Sequence, residues 1–290
     1  MKLQIRIAKM AIFSKPGDFV AQRVVSLQPS ITSILERLGV MDRLVACTRY
    51  CVEVCPGVRD RNIAIIEDSW TAHSEQIRAA NPDLVIASVP YQVDAVAEIL
   101  KSGAQFLGLA PHRLRDIYAD IAAIAGIMNE PNRGQYLIRE MQMEIERVHS
   151  RNSACNHRPS VYCEEWGKPL IHSQPWVAEL VEAAGGQFVG TPGRQTDPST
   201  VHRLDPDIII AAWCGAGNRV PLQKIVAHRG WQSLKAVREE RVYCINDEYL
   251  NTPGPALLAG LHALEAAIGG RDAPGLRRIG EHRSDALLIS

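Results

Sequence analysis

The chain has 290 residues, 46% hydrophobic and 22% charged, and its 32 Lys and Arg balance 32 Asp and Glu. That length holds one large domain or two of about 100–150 residues, each able to bury a core. Charge balance excludes a net field that gathers nucleic acid or anionic membrane, and an odd count of seven cysteines excludes a complete disulfide framework.

The first stretch, MKLQIRIAKMAIFSKPGDF, is interrupted by Lys2, Arg6 and Lys9. It lacks the ~7–15 apolar residues of a signal-peptide core, and no run nears the ~18 of a membrane span. As written the protein is expected in the cytoplasm, or on the periplasmic or extracellular face if the true start lies upstream. Then come strand RVVSL, a helix over 31–38 closed by Gly39, strand RLVAC, a helix over 72–80, strand PDLVIAS, a helix over 93–101 and strand AQFLGLA. Next, Pro131 opens a helix, and Tyr136, Leu137, Met141, Ile145 and Val148 recur at helical spacing. Over residues 132–150 it spans roughly 28 Å at ~1.5 Å per residue.

Beyond it the first half's order returns: SVYCEE, a helix over 176–184 closed by Gly185 and Gly186, GQFVG, a short helix near 199–203, PDIIIAA, a helix near 221–228, and RVYCIN. NPDLVIAS and DPDIIIAA are the clearest echo. The reading is α/β: two Rossmann-like lobes with mostly parallel sheets (22–130 and 154–270), joined by one long helix (131–153), with a tail over 271–290 that receives no role. Such sheets bind ligands outside the C-terminal ends of their strands, so the expected site is a cleft between the two strand-end edges.

Those strand ends deliver Pro29 and Ser30; Arg49, Tyr50 and Cys51; Asp68, Ser69 and Trp70; Pro90 and Tyr91. In the second half they deliver Glu164, Glu165 and Trp166; Trp213, Cys214 and Gly215; Glu248, Tyr249 and Asn251. Any one aromatic is more often core, but a cluster on one edge suits a large, flat, partly apolar ligand. No Gly-x-Ser-x-Gly elbow, Walker A loop, Gly-x-Gly-x-x-Gly fingerprint or His-Glu-x-x-His pair is present. His172, close to Trp176, is the histidine to weigh as a metal ligand, although a lone loop histidine is more often bonded to backbone. Adjacent Glu164 and Glu165 point to opposite faces of an extended strand, which argues against a paired acid and base.

The segment CTRYCVEVCP spaces Cys47, Cys51 and Cys55 by four residues. On a helix successive thiols would lie about 6 Å apart and could share a metal; on a strand, roughly 13 Å. Val52, Val54 and Pro56 argue against a regular helix, so the expectation is a strand end delivering Tyr50 and Cys51 to the cleft.

With these segments in order, the chain resembles the helical-backbone metal-receptor family, the substrate-binding proteins of ABC importers for vitamin B12, haem and ferric siderophores. RVVSLQPSITSILERLGV, EEWGKPLIHSQPWVAELVEAAGG, RVYCINDEYLNTPGPALLAGLHAL and the linking helix carry the likeness across residues 23–270; the second and third are most similar to cobalamin-binding members. The resemblance implies a non-catalytic receptor for a cobalt corrinoid, with haem or a ferric siderophore as alternatives. It puts Pro29, Ser30, Tyr50, Trp70, Trp166, Trp213 and Tyr249 around the ligand. With the strand-end argument, the candidate set also takes in Arg49, Cys51, Glu165, His172, Trp176, Cys214 and Asn251, with Cys51 and His172 as metal donors. A siderophore would favour arginines, for which Arg49, Arg194 and Arg219 are candidates. The resemblance further implies docking to an ABC permease through an acid on each lobe: Glu75 on the first, and on the second, where the matching positions are Ser199 and Thr200, Asp197 nearby. A different class of reading is a cytoplasmic metal- or cluster-dependent protein using Cys47, Cys51 and Cys55.

Overall fold

The computed structural model describes residues 19–153 and 157–281; the N-terminal stretch and Cys155 lie outside them. The first half runs β1 (Val24–Ser26), α1 (Pro29–Arg37), β2 (Leu44–Thr48), α2 (Arg49–Val54), β3 (Ala64–Ile66), α3 (Ser74–Ala79), β4 (Leu84–Ser88), α4 (Val93–Lys101), β5 (Gln105–Leu109) and α5 (Leu114–Ile127). Its five strands form one parallel sheet in the order β3-β2-β1-β4-β5, with Val24 opposite both Leu44 and Leu84. Strand β4 is buried along its whole length, as a strand covered by helices on both faces must be. Pro29 starts α1, and Gly39 follows its end with φ +71°, a backbone state that glycine adopts without a Cβ penalty.

After the linking helix α6 (Pro131–Asn152) come β6 (Ser160–Gly167), β7 (Leu170–His172), α7 (Pro175–Ala183), β8 (Gln187–Phe188), β9 (Gln195–Thr196), α8 (Pro198–Leu204) and β10 (Ile208–Ala211). The chain then continues through α9 (Leu222–His228), α10 (Lys235–Arg238), β11 (Val242–Ile245), α11 (Glu248–Asn251), α12 (Leu257–Ile268) and β12 (Leu276–Arg278). The second sheet is mixed. Strands β6, β8, β10 and β11 pair in parallel, whereas β7, β9 and β12 join antiparallel. The segment after residue 270, given no role from sequence, adds β12 beside β11.

Helix α6 has 22 residues, about 33 Å at 1.5 Å per residue. It crosses α5 so closely that a methyl on Gly134 would overlap the Ala125 Cβ. At its N-terminal half Arg37 pairs with Glu140 at 2.5 Å and Arg133 donates to the Leu38 carbonyl at 2.7 Å. At its far end Arg151 grips Glu265 of α12 with two bonds of 2.9 and 2.8 Å. One apolar core runs through both halves and α6, from Ile31 and Ile86 through Leu137 and Met141 to Val177 and Leu261. The halves also touch directly: the Leu114 amide donates to Glu179 at 2.8 Å, and Gly254 packs against Ser30. A shared core and a stiff connector make a scaffold with little freedom for large closure.

One expectation is corrected here. Residues 49–54 form a helix, not an extended strand end. The Thr48 hydroxyl caps it, accepting from the Cys51 amide at 3.3 Å. Val52 and Val54 disfavour helix only weakly, and the burial of Cys51 and Cys55 on one face outweighs that preference.

Candidate functional site

Helix α2 follows β2 at the C-terminal edge of the first sheet, and α11 follows β11 at that of the second. The Glu248 carboxyl on α11 is raised by burial, then by the charges of Asp247 and of Glu53 on α2. On the first-half side, Pro29 is half-buried at the start of α1. Arg49 is exposed, lies 4.7 Å over the Tyr50 ring and donates to its hydroxyl at 2.7 Å. Gln28 donates to Ser69 at 2.7 Å, tying the β1 and β3 ends together. Trp70 stands 49% exposed, its amide held by Asp68 at 2.9 Å.

On the opposite side, Trp166 is 44% exposed, its indole donating to the Lys168 carbonyl. Glu165 is half-buried and accepts from Gln174 at 2.5 Å. Burial pushes its carboxyl up to about 7, against the opposing pull of that hydrogen bond. Trp213 is half-buried and Cys214 exposed at the end of β10. The Cys214 sulfur accepts from Asn251 at 3.2 Å; desolvation first, then the charges of Glu165 and Asp247, push the thiol up to about 12. Asn251 also donates to the Ala212 carbonyl at 2.7 Å. Tyr249 is half-buried, with its ring seated on Gly275.

Beneath Trp213 lies a polar cluster that sequence reading assigned only as a strand end. Glu164 is 1% exposed and accepts from Tyr162 at 2.7 Å, from the Trp213 indole at 2.6 Å and from Arg229 at 3.1 and 2.8 Å. The Arg229 guanidinium lies 4.8 Å from the Trp231 ring centre and 5.8 Å from that of Trp213. Arg229, Asp247 and Gln174 are polar residues of this region that sequence reasoning missed. Asp247 had a legible signal, since it follows a strand directly; Arg229, at the end of a helix, had none.

Four candidates are turned away from the cleft. Cys51 is 0% exposed, because the α2 helix points it into the core against Thr48 and the Ser26 carbonyl. Cys47 and Cys55 are buried in the same core. Burial and then the Glu36 carboxylate push Cys55 up to about 12, so it stays a thiol. His172 is 2% exposed and packs edge-on against Tyr162, with ring centres 5.2 Å apart. Burial lowers its pKa. Trp176 is 5% exposed, its indole bonded to the Leu250 carbonyl at 2.8 Å. Ser30 is 4% exposed under the Gly254 backbone. Among the described residues, no three His, Cys, Asp or Glu side chains are grouped to hold a metal ion. A three-thiolate cage finds no support there: Cys47 lies on β2, Cys51 on α2 and Cys55 at its C-cap, all three buried in the core.

The rim residues are also placed. Glu75 is exposed in the first turn of α3. Asp197 caps α8, where its carboxylate takes bonds from the Ser199 amide and hydroxyl and the Thr200 amide and hydroxyl, at 2.5–3.0 Å. Those bonds hold it well below the usual carboxylate range and leave it little capacity for an external cation. Arg194 is exposed, and Arg219 is engaged with the Ala216 carbonyl of its own loop.

No described helix is long and apolar enough to cross a membrane. A vitamin B12-binding protein of Vibrio cholerae is 25% identical over 262 residues, covering 86% of this chain and 88% of that protein. An uncharacterized ABC transporter substrate-binding lipoprotein of Bacillus subtilis, YvrC, is 23% identical over 264 residues, 85% of this chain and 80% of that one. The crystal structure of a periplasmic heme-binding protein from Pseudomonas aeruginosa superposes with a TM-score of 0.79 at 17% identity, over 91% of this chain and all of that one. These relatives are named as substrate- or ligand-binding proteins, not as enzymes. Residues 24–249 match the periplasmic binding protein family, and the chain belongs to it.

Proposed function

We propose that the protein binds a cobalt corrinoid, or a closely related metal chelate, between its two strand-end edges, and delivers it unaltered as the substrate-binding component of an ABC importer. What supports this reading is the exposure of two indoles that follow from opposite sheets, Trp70 after β3 and Trp166 in β6, with Tyr50 and Trp213 half-buried at the ends of β2 and β10. Large aromatic surfaces left open at a concave edge favour a ligand with broad flat faces, whose burial there replaces water. The B12-binding relative supports the corrinoid. The heme-binding neighbour supports a second reading, and so does Tyr50, a phenol oxygen of the kind that ferric haem takes as an axial donor. The metal belongs to the cargo; Cys51 and His172, both buried, are not offered to it.

The relatives are named as lipoprotein or periplasmic protein, and we place this one likewise on the outer face of the cytoplasmic membrane; a cytoplasmic site finds no support among them. Docking to a permease would rest on Glu75 more than on Asp197, whose carboxylate is already taken. The test is titration of the purified protein with cyanocobinamide, cyanocobalamin, haemin and a ferric catecholate, followed by indole fluorescence and visible absorbance. One-to-one corrinoid binding that quenches the indoles and outcompetes haemin is expected. Saturation by haemin or the catecholate with no response to either corrinoid refutes it.

A further inference from the structure

The loop joining β10 to α9, residues 213–219, reads WCGAGNR and contains two glycines in the left-handed region, Gly215 at φ +76° and Gly217 at φ +58°. Two glycines in seven residues would ordinarily leave such a loop in several conformations. Here two carboxylates from neighbouring strands hold it at both ends. Glu164, on β6, takes the Trp213 indole N–H. Asp247, just after β11, takes the Gly215 amide on one oxygen at 2.7 Å and the Gly217 amide on the other at 2.8 Å. Between them, the Cys214 amide donates to the Glu165 carbonyl at 3.1 Å and the Asn251 amide donates to the Ala212 carbonyl. Gly167 lacks the Cβ that would overlap the Trp213 ring, so the indole lies directly on the β6 backbone. The first-half indole has no such support: the amide of exposed Trp70 is fixed only within its own turn, by Asp68.

We propose that Asp247 and Glu164 are positioning residues that hold loop 213–219 in its binding form before any ligand arrives, so that the second half presents a preformed wall to a rigid, flat chelate. This rests on the proposed ligand class and adds a kinetic consequence. A wall that is already formed contributes to affinity through the association rate, because no fraction of the protein waits in a closed or disordered loop state. The hydrogen bonds of the Asp247 carboxylate go to the two loop amides, so replacing that side chain lowers the competent fraction without altering contacts made once the ligand is seated.

The experiment measures stopped-flow association and dissociation of cyanocobinamide and of haemin, together with amide hydrogen exchange of the ligand-free protein. It compares the wild type with Asp247→Asn and Asp247→Ser, the second serving if the first does not fold, and with Trp213→Phe. Expected for either Asp247 variant is an association rate lower by about tenfold, dissociation within about twofold, and exchange at Gly215 and Gly217 faster by about tenfold or more. Trp213→Phe removes the indole bond to Glu164, so it too should slow association, while the glycine amides held by Asp247 stay protected; loss of ring surface speeds dissociation as well. The proposal is overturned if Asp247 variants leave both amides and the association rate at wild-type values, or if affinity falls through dissociation alone. If neither probe binds the wild type, the ligand reading fails, and amide exchange decides the anchoring by itself.

Discussion

Replacing Glu164 by alanine removes the acceptor at the centre of the buried cluster. The Glu164 side chain is 2% exposed and that of Arg229 10%, so the substitution strands a guanidinium where water hardly reaches. Breaking a buried pair from one side costs about 3–5 kcal/mol. The Tyr162 hydroxyl and the Trp213 indole lose their acceptor as well, at about 1 kcal/mol each if water enters the space left behind. We predict a loss of about 5–7 kcal/mol, or a fall in Tm of about 10–20 °C for a domain this size. Glu164→Gln keeps one oxygen for the indole but loses the charge and turns the other oxygen, which accepts from Tyr162 and Arg229, into a donor, so a loss of at least about half that of Glu164→Ala is expected. The double variant Glu164→Leu, Arg229→Met removes both charges and should recover most of the stability. Urea unfolding monitored by circular dichroism gives each value. A loss below about 1.5 kcal/mol for Glu164→Ala, or a double variant as unstable as the single one, would refute the reasoning.

Three further outcomes are expected. Glu165 titrates near 7 when folded against about 4.5 when unfolded, so its contribution to stability is fully present below pH 4.5 and is lost as pH rises through 7. The effect is on the order of 1–2 kcal/mol after solvent screening; carboxyl carbon NMR should show its midpoint near 7, and a midpoint below 5.5 would sink this account. Gly190 has φ +100° and packs on the His172 ring, so Gly190→Ala should cost about 2–4 kcal/mol in urea unfolding, and an unchanged midpoint would contradict the packing. Thiol labelling with peptide mapping should find Cys214 modified ahead of Cys47, Cys51, Cys55, Cys163 and Cys244, all of them buried. Its rate should climb about tenfold per pH unit through pH 10, since the thiolate is the reactive form; a rate that levels off between pH 9 and 10 would show an ordinary thiol.

The strand-and-helix order was legible because it rests on local chemistry. Apolar runs such as VIAS and IIIA read as buried strands, Gly39 and Gly185 as helix ends, and the periodicity of residues 136–148 as a helix. The repeat of that order in two halves made the two sheets legible too. What the sequence could not convey was which way a strand-end side chain turns. Cys51 and His172 stand one residue from the cleft in sequence, yet a capped helix turns the first into the core and the Tyr162 ring encloses the second. Helix α2 itself escaped notice because Val52 and Val54 favour strand by fractions of a kcal/mol, while the burial of two thiols that decides the matter comes from residues elsewhere in the chain. The carboxylate anchors escaped for the same reason. Glu164 meets Arg229 across 65 residues, and Asp247 meets Gly215 across 32. Composition and periodicity therefore determine the elements and the edges at which their strands end; only long-range packing decides which side chains reach those edges and which hold the others still.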